Sequence, residues 1–124
     1  MKKYLTYDDV QIIPKYSNIE HRKDCNTITR VTKNIWLDLP IVSSPMDTVT
    51  DFFMCMEMDR LGGMGILHRF QKSFEVGNTI DQFRHQRPDG TIGASIGVTE
   101  DYLKIAQRYV DCGAQIILID VAHG

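Results

Sequence analysis

After Pro40 the sequence predicts an α/β fold of short parallel strands, each followed by a helix. Short apolar runs recur there at intervals of about two dozen residues, the spacing of successive βαβ crossovers. The stretches between them carry apolar residues at helical spacing, and glycine or proline marks the joins.

The elements follow in order. Residues 1–24 are mixed and irregular, with Pro14 among scattered polar groups. Thr27–Thr32 and Ile35–Leu37 alternate in polarity on either side of Lys33-Asn34, which predicts a β-hairpin. Ile41–Ser44 reads as the first parallel strand. A helix is expected over 51–61, with Met54, Met58 and Leu61 inward and Gly62-Gly63 as its stop. Met64–His68 is the second strand, and a helix over about 73–86 buries Val76, Ile80 and Phe83. Arg87-Pro88-Asp89-Gly90 is a turn whose proline sits at the position that needs its fixed φ. Gly93–Val98 is the third strand. Thr99 is the expected N-cap of the next helix, with Glu100 and Asp101 in its first turn, Tyr102, Ala106, Tyr109 and Val110 on one face, and Gly113 as its end. Gln115–Val121 is the fourth strand, nearly apolar throughout with Ile116–Ile119 unbroken, as a strand buried on both faces should be.

Strand–helix alternation fits either an open doubly wound sheet or a closed barrel. The last strand is followed by Asp120-Val121-Ala122-His123-Gly124 and no helix, which leaves an apolar surface and a sheet edge uncovered. A complete (β/α)₈ barrel takes about 250 residues. The expectation is therefore the N-terminal half of such a TIM barrel, strands one to four, as a single partial domain: residues 1–39 an extension with the hairpin, residues 40–124 the barrel strands.

Composition narrows the function. Apolar residues at 43% and charged residues at 24% belong to a folded soluble chain rather than a disordered one. A formal charge of -2 with both signs interspersed gives no footprint for nucleic acid or an anionic membrane. No apolar run approaches the roughly 20 residues of a membrane span, and the start has no apolar core of a secretory signal. Cys25, Cys55 and Cys112 are odd in number and widely spaced, which argues for reduced thiols in the cytoplasm and against a zinc site. Gly62-Gly63-Met64-Gly65 precedes a strand, so it is not a dinucleotide fingerprint, which follows one.

Five blocks carry a family resemblance. Leu5–Val10 with Ile13-Pro14 and Tyr16-Ser17, Leu39–Thr50, Gly62–Arg69, Gly93–Val98 and Ile119–Gly124 resemble, in that order, the signatures of the IMP dehydrogenase / GMP reductase family. The resemblance implies a purine-nucleotide oxidoreductase whose site lies at the C-terminal ends of the barrel strands. It implies NAD as cofactor for the dehydrogenase, which converts IMP to XMP through a cysteine adduct, or NADPH for the reductase, which converts GMP to IMP. Full-length members are implied to be homotetramers.

The resemblance assigns Ser44 and Met46 to a purine nucleotide monophosphate; a plain strand-to-helix turn capped by Asp47 and Thr48 is the competing reading. Asp120 ends an apolar strand, where a carboxylate needs a partner, and the resemblance gives it the nicotinamide ribose. His68 ends the second strand, and the resemblance puts it near the cofactor without a proton-transfer role. His123 depends on neighbours outside this sequence, and His21 and His85 read as surface residues. None of the three cysteines lies in a loop like the family's G-x-G-S-x-C-x-T, so each reads as structural and the chain by itself is expected to be inactive. Thr50 and His123 lean towards the dehydrogenase; Val121 and the short 69–92 connection lean towards the reductase; the dehydrogenase is favoured. A non-catalytic half-barrel binding or assembly module is the reading from another class. The expected partner is a complementary C-terminal half-barrel or a second copy.

Overall fold

The computed structural model describes residues 4–99 and 101–122, so the expectations for Glu100 and His123 lie outside the described residues. Thr29–Arg30 (β1) pairs antiparallel with Trp36–Leu37 (β2), Thr29 opposite Leu37. The hairpin has a wider tip than the two-residue Lys33-Asn34 connection expected. The Ile35 carbonyl accepts from both the Val31 and Thr32 amides, so the pairing loosens before the turn closes. The Thr27 hydroxyl donates to the Asp38 carbonyl at 2.8 Å and ties the hairpin's base.

Four parallel strands then lie side by side in chain order: Val42–Ser43 (β3), Met64–Leu67 (β4), Ile92–Ile96 (β5) and Ile116–Ile119 (β6). Helices Phe52–Arg60 (α1), Ser73–Gln86 (α2) and Tyr102–Asp111 (α3) form the crossovers. This is an α/β fold with a parallel sheet, as the alternation predicted. Among the described residues no helix is long and apolar enough to cross a membrane.

Residues facing the helices form the larger core. Cys55 from α1, Val76, Ile80 and Phe83 from α2 and Tyr109 from α3 pack on Leu67, Ile92, Ala94 and Ile96 of the sheet. Each large side chain buried there contributes about 1.5–3 kcal/mol. On the opposite sheet face Leu37 of the hairpin packs with Met64 and Ile66, flanked by Ile116 and Leu118.

Two helix faces differ from expectation. In α1 the inward residue is Cys55, with Phe52 and Met56 packed beside it, while Met54 and Leu61 are exposed. The cause is a close approach: a Cβ on Gly65 of β4 would lie 2.8 Å from the Cys55 Cα, so only a small residue in the helix can face this strand. In α3 the packed set is Ile105, Ala106, Tyr109 and Cys112, and Tyr102 and Val110 are exposed. The N-cap of α3 is Asp101, not Thr99; it holds a left-handed φ of 66°, which aspartate tolerates better than most residues. Strand β6 is not buried on both faces. It is one of the sheet's two outer strands, half-buried along Ile116–Leu118 and exposed at Ile119.

The N-terminal end of the sheet is fastened by polar side chains. Asp59 of α1 pairs with Arg87 at 2.6 Å and accepts from the Thr91 amide at 2.7 Å. Arg84 donates to the carbonyls of Gly113, Pro88 and Gly90, and the Gln115 side chain bridges Ile92 and Gly90. The opposite end carries the chemistry-bearing residues.

Candidate functional site

Parallel strands all end on the same side of a sheet, and the first residue beyond three of them is polar. Ser44 follows β3, His68 follows β4 and Asp120 follows β6; Gly97 follows β5. The four residues singled out from sequence, Ser44, Met46, His68 and Asp120, thus occupy one end of the sheet. No hydrogen bond joins Ser44 or Met46 to His68 or Asp120 among the described residues, so the end divides into two clusters.

The first cluster is the loop after β3. The Ser44 carbonyl accepts from the Met46 amide at 2.8 Å, and the Met46 carbonyl accepts from the amides of Val49 and Thr50 at 3.0 and 2.9 Å. The loop turns tightly and leaves the Ser44 and Met46 side chains exposed. Thr50 fixes it from below. Fully buried, its hydroxyl donates to the Ser44 carbonyl and shares a hydrogen bond with the Ser43 hydroxyl at 2.8 Å. The helix cap falls to Asp51, whose carboxylate accepts from the Met54 amide at 2.8 Å. Asp47 and Thr48, the caps of the competing reading, do not fill that role.

The second cluster spans β4 to β6. His68 is 6% exposed, and its Nδ1 accepts from the Phe70 amide at 3.2 Å. That bond assigns the neutral ring's proton to Nε2. The Phe70 ring stacks on the imidazole with centroids 6.0 Å apart. The Asp120 amide donates to the Ile96 carbonyl at 2.9 Å, extending the ladder by one residue. Arg69 Nε donates to the Asp120 carbonyl at 3.0 Å and lies 3.6 Å from its Oδ2. A cavity of 190 Å³ opens on the helix side of Arg69, lined in part by Ser95, Gly97, Thr99 and Tyr102; Asp120 does not line it.

The thiols are elsewhere. Cys55 is buried on the inner face of α1, and burial, reinforced by the nearby Asp51 charge, pushes its pKa up to about 12. Burial and then Asp81 also raise Cys112. A thiol held protonated is a poor nucleophile. Cys25 is exposed, ahead of the hairpin. His21 and His85 are exposed as expected. Among the described residues no group of three or more His, Cys, Asp or Glu side chains could hold a metal ion.

The family model for the IMP dehydrogenase / GMP reductase domain matches residues 4–124. The chain belongs to the IMP dehydrogenase / GMP reductase family. An inosine-5'-monophosphate dehydrogenase of Nitrosopumilus maritimus (strain SCM1) is 44% identical over 79 residues, 64% of this chain and 17% of the relative. One from Cryptosporidium parvum is 30% identical over 163 aligned positions, covering 98% of this chain and 40% of the relative. That span exceeds the 124 residues here, so the relative carries residues within it that this member of the family does not. A GMP reductase of Leishmania donovani is 54% identical over 66 residues, 53% of this chain and 13% of the relative. This family member thus spans between 13% and 40% of the length of these three curated relatives.

Two residues at the site went unassigned in the sequence reading. Sequence alone marks Thr50 only for what it says about dehydrogenase against reductase, and Arg69 only as the last residue of the Gly62–Arg69 block. A hydroxyl at position 50 gives no hint that it points back under Ser44. Arg69 meets Asp120 across 51 residues of chain, a pairing that no local pattern encodes.

Proposed function

We propose that this chain forms the N-terminal half of a (β/α)₈ barrel in a purine-nucleotide oxidoreductase of the IMP dehydrogenase type, acting in the cytoplasm. Residues 1–39 would be the extension and hairpin, and residues 40–124 the first four barrel strands. Ser44 and Met46 bind the purine nucleotide monophosphate; Asp120, with His68 nearby, binds NAD. The observation that carries the reading is the common position of Ser44, His68 and Asp120, each immediately beyond the C-terminal end of a parallel strand. Barrel enzymes of this architecture build their sites at that end.

The donor set fits a nicotinamide dinucleotide. Asp120 is about one-third exposed, its Oδ1 takes no hydrogen bond among the described residues, and a carboxylate of that kind accepts well from ribose hydroxyls. The bound dinucleotide would supply hydride acceptance. The residues of this chain orient it and the purine; Met46, exposed and flexible, can lie against the base. None of Cys25, Cys55 and Cys112 is the attacking cysteine, a reading supported by the burial of Cys55 and by the family resemblance, whose glycine-rich cysteine loop matches the surroundings of none of the three. A complementary half-barrel, or a second copy, pairs with the outer edges of β3 and β6, where Val42 and Ile119 are 41% and 58% exposed.

A GMP reductase with NADPH is the second reading, favoured by the 54% identity to the Leishmania donovani enzyme over 66 residues. The test is turnover of IMP with NAD, and of GMP with NADPH, by the pure chain and by the chain refolded with the C-terminal remainder of the Nitrosopumilus maritimus relative. The pure chain is expected to be silent and the pair active with IMP and NAD. NADH formation by the pure chain, lost when one of its own cysteines is changed, would overturn the assignment of those cysteines.

A further inference from the structure

We propose that Arg69 is the positioning residue for Asp120, a strap from the end of β4 over the end of β5 to the end of β6. The inference rests on the reading of Asp120 as a ribose ligand and deepens it. Strands β4 and β6 are not neighbours, since β5 lies between them. Adjacent strands are about 4.8 Å apart, so a side chain joining the outer two must cross roughly 9–10 Å, within an arginine's reach. Two features hold the path open. The middle strand ends at Gly97, where a Cβ would sit 3.8 Å from Arg69 Nη1 and 3.9 Å from Cδ; alanine would just touch the arginine, and anything longer would occupy its route. The guanidinium also lies 4.9 Å from the Phe70 ring centroid, and that ring is in turn fixed by its stack on His68.

The strap's end-point is specific. Arg69 Nε donates to the Asp120 carbonyl at 3.0 Å and faces Oδ2 at 3.6 Å, so one group constrains both the backbone and the carboxylate. The two side chains are 39% and 34% exposed, and a pair that open contributes little to folding stability. What it changes is where the carboxylate stands. With Oδ2 held towards Arg69, Oδ1 is left for a hydroxyl.

The experiment uses the full chain labelled with ¹⁵N and ¹³C, with NAD as the probe. Arg69→Gln, Asp120→Asn, the double variant and Gly97→Val are compared by NAD titration, by thermal midpoint and by the Asp120 carbonyl ¹³C shift. Arg69→Gln is expected to leave the midpoint unchanged, to move the Asp120 carbonyl resonance and to weaken NAD about tenfold, the loss of one charge-assisted hydrogen bond. Gly97→Val, which displaces the arginine without touching Asp120, is expected to do the same. A positioning role also requires that the double variant be no weaker than Asp120→Asn alone. Additive losses would mean that Arg69 meets the cofactor directly, and would overturn the proposal. So would NAD affinity unchanged in Arg69→Gln while Asp120→Asn loses it. If Asp120→Asn binds NAD normally, or the chain binds none, it is the reading of Asp120 that fails. The carbonyl shift then decides the strap by itself, and an unmoved resonance in Arg69→Gln rules it out.

Discussion

Replacing Thr50 by valine removes a hydroxyl and keeps the shape. The hydroxyl is fully buried, donates to the Ser44 carbonyl and shares a second bond with the Ser43 hydroxyl, itself nearly buried. A typical hydrogen bond contributes about 1 kcal/mol net, and a buried partner left without one costs about 1–3 kcal/mol. The Ser44 carbonyl lies in an exposed loop and can recover a water, whereas the Ser43 hydroxyl has little access. The expected destabilisation is therefore about 2–3 kcal/mol, a large part of a domain's margin of about 5–15 kcal/mol. Thr50→Ser keeps the hydroxyl and loses one buried methyl, so about 1 kcal/mol is expected. Urea unfolding of the three proteins, followed by far-ultraviolet dichroism at constant slope, reads both values. Because the same hydroxyl holds the Ser44–Met46 turn, amide exchange at Met46 and Val49 should rise in Thr50→Val and not in Thr50→Ser. Equal losses in the two variants, or a loss below about 0.5 kcal/mol in Thr50→Val, would refute the latch.

Other variants probe the framework. Gly65→Ala puts a Cβ 2.8 Å from the Cys55 Cα, a backbone clash that no rotamer relieves; a loss of at least about 1–3 kcal/mol is expected in the same unfolding assay. Asp59→Ala removes the partner of Arg87 and the acceptor for the Thr91 amide, and about 2–3 kcal/mol is expected because Asp59 is buried but Arg87 is partly open. The Cys55 thiol is raised from 9.0 to about 12, so the folded chain holds that proton more tightly than the unfolded one. Its contribution to stability is complete below pH 9 and is lost as pH rises towards 12, and the slope of stability against pH over that window should flatten in Cys55→Ala. Thiol alkylation of the native chain should accordingly label Cys25 first and Cys55 only on unfolding.

Alternation and punctuation were enough to read the order of the elements and most of their limits. The helix expected over 73–86 is Ser73–Gln86, and Val76, Ile80 and Phe83 are its buried face, because a clear apolar stripe ends at a proline turn. The faces of α1 and α3 were harder. Phe52–Arg60 is apolar on several sides, so periodicity picked the long methionines, while the packing turns on Cys55 against Gly65, a pair whose small size matters more than its hydropathy. Strand β6 reads as doubly buried because its residues are uniformly apolar, yet its outer side has no partner among the described residues. At the candidate site, the polar residue closing an apolar strand singles out Asp120 by itself, whereas Ser44, Met46 and His68 are assigned by the family resemblance, since a turn serine or a lone histidine is by pattern an ordinary structural group. Neither gives Thr50 or Arg69 its role, since their partners are set by the packing of a buried hydroxyl and by three strands meeting at one end.

A chemical-shift map of the labelled chain titrated first with IMP and then with NAD tests the position of the site most directly. Resonances of Ser44 and Met46 are expected to move with IMP, and those of Asp120 and His68 with NAD, all at the C-terminal ends of the strands. Shifts confined to the opposite end, around Arg87–Gly90, or to the outer faces of α1 to α3, would contradict a nucleotide and cofactor site built on these residues.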